Sequence, residues 1–144
     1  MEEASRGVNL IFFKIIFFTM LLFISKVLAT AITVYFVGIA DPNKLDLLLW
    51  FIAEYGPTSI VSMLVFFLLA RSQRSKPYLY AFVIGFLSIF LSSAVTSAIL
   101  NESLYPSILV LDSLVLMVTL LIGVSIGVKS KGVTPRAIAL QNHK

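Results

Sequence analysis

No cysteine occurs anywhere in this chain of 144 residues, so disulfide frameworks, thiolate metal sites and cysteine nucleophiles are excluded together. Histidine is almost as scarce. The single one, His143, lies next to the C-terminus, and neither a histidine metal centre nor a Ser-His-Asp arrangement can be built from it in the body of the chain. No glycine is followed directly by Lys-Ser or Lys-Thr, which removes the phosphate-binding loop. Charge is sparse as well: 12% of residues are charged against 59% hydrophobic, and the mean hydropathy is +1.01. A chain of that composition is solvated by lipid rather than water. No catalytic group, cofactor or metal is expected, and an enzyme is not the expected class.

What is present is four long apolar runs separated by short polar segments. The first extends from Leu10 to about Gly38, the second from Leu45 to Ala70, the third from Leu79 to Leu100 and the fourth from Ile108 to Val128. Each meets or exceeds the ~20 residues that a helix needs to cross a bilayer. The turn Asp41-Pro42-Asn43-Lys44 separates the first two, Pro77 closes a basic hairpin between the second and third, and Pro106 precedes the fourth. The expectation is an all-α integral membrane protein, a single four-transmembrane-helix bundle with short loops, followed by a basic tail over 129–144. Thr134 and Pro135 suit the start of a short helix in that tail, which anionic headgroups or a cytoplasmic partner would attract.

Basic residues set the orientation, because Lys- and Arg-rich loops stay in the cytoplasm. Arg6, Lys14, Arg71, Arg74, Lys76, Lys129, Lys131, Arg136 and Lys144 fall on one side, Lys44 alone on the other, and Lys26 within the first run. Both termini are therefore expected in the cytoplasm of a multi-pass protein of a cell membrane, of the bacterial inner-membrane type. The net charge of +4 is accounted for by those loops, so nucleic acid is not an expected partner. A cleavable signal sequence is outweighed because the apolar run continues past Ala29-Thr30-Ala31 to Val37. The triplet Asn101-Glu102-Ser103 matches a glycosylation acceptor but lies against the membrane.

Lipid gives helices no hydrophobic reason to associate, so small and hydroxyl side chains mark the faces that meet. Every run has such a stripe at helical spacing. It comprises Thr19, Lys26, Thr30 and Thr33 on the first, and Glu54, Thr58 and Ser62 on the second. The third carries Ala81, Gly85, Ser88, Ser92 and Thr96, the fourth Asp112, Thr119, Gly123 and Gly127. Gly123 and Gly127 form a GxxxG close-approach pair, suited to an intrachain contact or to a dimer.

Three ionisable residues, Lys26, Glu54 and Asp112, lie on these stripes, where an unpaired charge costs about 3 kcal/mol or more. At ~1.5 Å per residue Lys26 falls near mid-membrane, and Glu54 and Asp112 in the middle or outer half. A Lys26 to Glu54 pair is within reach of the lysine stem. Pro57, with Gly56 before it, removes a helix hydrogen bond beside Glu54 and predicts a break there. Two functions fit. The first is an accessory or structural subunit acting by helix-helix contact, with other membrane subunits or copies of itself as partners. The alternative is a small oligomeric transporter or channel with the three charged residues as its ion or proton site. A water-accessible cavity reaching Glu54 favours transport, and a dry ion pair in a packed interface favours the structural role.

Overall fold

The structure, a computed structural model, describes residues 2–37, 47–73, 75–100 and 106–132. These form four helices: α1 (Glu2–Val37), α2 (Leu47–Ser72), α3 (Pro77–Leu100) and α4 (Pro106–Gly132). No strand occurs among the described residues. Each helix contains an apolar span of 22 to 25 residues, which at ~1.5 Å per residue exceeds the ~30 Å hydrocarbon core. The expected class is thus found: all-α, with four helices long and apolar enough to span a membrane. Large side chains such as Phe12, Phe13, Phe86, Phe90 and Ile99 point outward, as they do when lipid is the solvent.

The boundaries differ from those expected at three places. Helix α1 starts at Glu2, a turn or more ahead of its apolar run, because nothing in residues 2–9 breaks a helix once the apolar run has nucleated one. Helix α4 continues to Gly132, so Lys129 and Lys131, expected in a tail, occupy its last turn, where cations oppose the negative end of the helix dipole. Helix α2 runs uninterrupted through Pro57, in place of the predicted break. Pro57 removes the N–H that would bond the Ala53 carbonyl, while the hydroxyls that follow bond other carbonyls of the helix, Thr58 Oγ1 donating to that of Tyr55 at 3.1 Å and Ser62 Oγ to that of Thr58 at 2.6 Å. Arg74, Arg136, Lys44, the Asn101 triplet and the rest of the tail lie outside the described residues.

Helices α2 and α3 are joined by a sharp reversal in which Lys76 adopts a left-handed φ of 50°. Pro77 then supplies the first residue of α3, a position that needs no N–H donor. The packing is not the cyclic order of the sequence. Helix α1 packs on α2 and α3, α4 packs on α2 and α3, and α1 and α4 make no backbone approach to one another. The ring therefore reads α1, α2, α4, α3. The most extensive interface is between α2 and α4. Tyr55 with Asp112, Phe66 with Gly123, Ala70 with Gly127 and Gln73 with Lys131 follow one another in the same sense along both helices. Helices α2 and α4 thus run parallel.

Glycine makes that interface possible. A β-carbon on Gly123 would stand 2.6 Å from the Met63 carbonyl oxygen, and one on Gly127 would stand 2.7 Å from Ala70 Cβ and 2.8 Å from the Phe67 carbonyl oxygen. The GxxxG pair thus serves an intrachain contact, with α4 laid directly on the α2 backbone. Beside it the core is dry. Phe18 and Leu22 of α1, Val65, Phe66, Leu69 and Ala70 of α2, Ala81 and Ile84 of α3, and Leu120 and Val124 of α4 are buried together. All of them belong to the half of the bundle that ends at the basic 71–76 hairpin and at Lys129 and Lys131.

Candidate binding cavity

The other half of the bundle is hollow. A cavity of about 800 Å³ lies there, walled by all four helices. The C-terminal half of α1 contributes Lys26 and Thr30, the N-terminal half of α2 contributes Glu54, Tyr55 and Thr58, α3 adds Ser92 and Thr96, and α4 adds Asp112 and Thr119. The position follows from the packing. Near Phe66 and Ala70 the glycines draw α4 onto α2, whereas at the opposite end the ring is kept wider by polar and ionisable side chains, and α1 and α4 do not meet across it.

The small-residue stripes therefore divide between two roles. Thr19, Ala81, Gly85, Ser88, Gly123 and Gly127 are buried in the dry half, and Gly85 faces Leu116 and Leu120 at ordinary contact distance. Lys26, Thr30, Glu54, Thr58, Ser62, Ser92, Thr96, Asp112 and Thr119 line the cavity. Thr33 donates to the Ala29 carbonyl at 2.8 Å within α1, and Gly56 faces open space, with Ile52 Cγ2 3.9 Å from where its β-carbon would stand. Arg71, Lys76 and Lys129 are exposed at the basic end, where Arg71 lies over the Phe67 ring, 5.7 Å from its centroid. Lys131 Nζ donates to the Gln73 carbonyl and ties the ends of α4 and α2 together. Tyr78 Oη and Ser125 Oγ, 3.1 Å apart, link α3 to α4 at the same end.

The three intramembrane charges all line this cavity, and among the described residues no ion pair joins them. The carboxylate whose charge acts on Lys26 is Asp112. A smaller space of about 70 Å³, bounded by α1, α3 and α4, has both Lys26 and Asp112 on its wall. Asp112 also accepts a hydrogen bond from the Tyr55 hydroxyl, which crosses from α2. Consecutive helix residues are ~100° apart in azimuth, so with Tyr55 turned inward to α4, Glu54 is rotated to the cavity mouth, where it is exposed. Among the described residues no cation comes within salt-bridge distance of it. Tyr55 is the functional residue missed in the sequence. Its signal was available, since a tyrosine on a membrane helix one residue from an acid brings a hydroxyl needing a partner.

Three hydroxyls on the wall have a definite polarity. Thr58, Ser62 and Thr119 each spend their one proton on a carbonyl of their own helix, at 3.1, 2.6 and 2.9 Å. A hydroxyl used in this way presents only lone pairs outward. Among the described residues no group of three or more metal-ligating side chains is gathered. A scan of protein-family models and searches of characterised proteins and of solved structures found no match to this chain.

Proposed function

We propose that this protein is a small transporter- or channel-type membrane component that binds a solute or ion in the half-open cavity, with Lys26, Glu54 and Asp112 as its charged groups. One observation carries the reading: a cavity of about 800 Å³ reaches from Glu54 inward to Lys26 and Asp112. That volume is within the range of ligand sites, and intramembrane ionisable residues that face such a space mark solute and ion pathways. With the basic hairpin and α4 terminus in the cytoplasm, the cavity opens to the external side and the dry half forms its floor. Passage through that floor requires rearrangement of these helices or a second copy of the chain. The accessory-subunit reading would instead stand on a dry Lys26 to Glu54 pair.

The test is water access. In this cysteine-free chain, Ser59→Cys on the cavity wall should react with a charged, membrane-impermeant methanethiosulfonate added outside intact cells, while Ser88→Cys, 1% exposed in the dry half, should not. An unreactive Ser59→Cys in folded protein would overturn the proposal.

A further inference from the structure

Resting on that reading, we propose that the ligand is an organic cation, an ammonium-type group carrying an apolar body, with its charge held at Glu54. Charge is the first argument. The cavity wall holds one cation and two carboxylates, and Lys26 shares the smaller adjoining space with Asp112 rather than with Glu54. The described wall is thus net negative, with Glu54 the exposed carboxylate at its mouth, so a positive ligand completes the balance, whereas an anion would meet like charge.

Hydrogen-bond polarity is the second argument and is independent of the first. Thr58, Ser62 and Thr119 have committed their protons to Tyr55, Thr58 and Leu116 carbonyls, so they offer acceptors to the cavity. Lys26 is the one cationic donor on the wall. The two carboxylates and these three committed hydroxyls offer lone pairs that match ammonium N–H groups, or the polarised methyl groups of a quaternary ammonium.

Size and aromatic content distinguish an organic cation from a bare metal ion. About 800 Å³ far exceeds the space that an inorganic ion fills, and the rest of the lining includes Val27, Val34 and Val115, suited to an apolar body. Tyr55 stands next to Glu54, its ring 4.9 Å from that of Phe51 and tilted 31° to it, and its hydroxyl is engaged by Asp112. That bond holds the ring on the cavity wall, where an aromatic side chain adds a cation–π attraction for an organic cation.

The probe pair is tetraphenylphosphonium and tetraphenylborate, nearly identical in shape and opposite in charge, measured by equilibrium dialysis against the full chain in detergent. Tetraphenylphosphonium should bind saturably, Glu54→Gln should weaken it at least tenfold, and Glu54→Asp, which keeps the charge, should retain most of the affinity. Tetraphenylborate should show no saturable binding. Equal binding of the two ions, or cation binding indifferent to Glu54→Gln, would overturn the inference. Reactivity of Ser59→Cys separates the two levels: if it reacts while tetraphenylphosphonium fails to bind, the cation assignment falls and the cavity reading stands, and if it does not react, both fall. Glu54→Gln protein must elute as wild type on gel filtration, and should it not, the Glu54→Asp variant compared across the two probes decides.

Discussion

Lys26 is the residue on which the polar half of the bundle turns. It shares the wall of the smaller space with Asp112 of α4, and α1 and α4 make no backbone approach to one another, so the charge of Asp112 acts on its ammonium across that space. Removing either charge leaves the other in a low-dielectric setting, which is costlier than removing both. Lys26→Met and Asp112→Asn should therefore each lower the melting temperature in detergent, and the double variant should recover much of the loss, with a coupling of about 1 kcal/mol or more. Glu54→Gln should stay within about 0.5 kcal/mol of wild type, as expected for an exposed side chain. Strictly additive losses for Lys26 and Asp112 would mean that they are not coupled. The sequence made the three charged residues plain, since a charge in an apolar run is conspicuous. It did not reveal which carboxylate serves Lys26, because that depends on the rotation of α2 about its axis, and Glu54 and Tyr55 are adjacent residues that exchange places with ~100° of rotation.

Close approach of two helices, rather than any single contact, holds the dry half together. Helix α4 lies on the α2 backbone at Gly123 and Gly127, where a β-carbon would fall under 3.0 Å from carbonyl oxygens. Backbone cannot yield as a flexible side-chain tip can, so Gly127→Val should destabilise by about 2–3 kcal/mol. Gly56→Ala is the contrasting case. With open space around it and a helix penalty of ~1 kcal/mol for glycine relieved, it should be neutral or stabilising. Thermal unfolding of the two variants side by side checks this, and equal loss at both positions would contradict the interface. The GxxxG spacing was legible, but its partner was not. The ring order that makes α2 and α4 neighbours is a property of how four helices share two faces, and stripe patterns on separate helices do not encode it. Pro57 costs one backbone hydrogen bond, and helix α2 continues through it where the sequence pattern alone marks a break.

For the whole molecule, the basic residues and the cavity occupy opposite ends of one bundle. If the basic end is cytoplasmic, Ser72→Cys, exposed at the end of α2, should resist an impermeant thiol reagent in intact cells and react after permeabilisation, the reverse of a cavity position. Labelling of Ser72→Cys from outside would invert the topology and turn the cavity inward. Four spans and their apolar surfaces followed from composition and run length, which any bilayer-spanning chain must satisfy. The division into a sealed half and a hollow half did not, because it arises from the difference between glycine contacts at one end and ionisable side chains at the other.

That division also governs where a membrane potential acts. If the cavity opens to the external side, water entering its mouth carries the potential of that solution inward to Glu54. The voltage then falls mainly across the packed layer around Phe66, Leu69 and Val124. A cation settling at Glu54 crosses little of the field, and the ~2.3 kcal/mol per charge per 100 mV is met mainly in that layer. Voltage should therefore leave occupancy of the cavity nearly unchanged and act on whatever step carries charge through its floor.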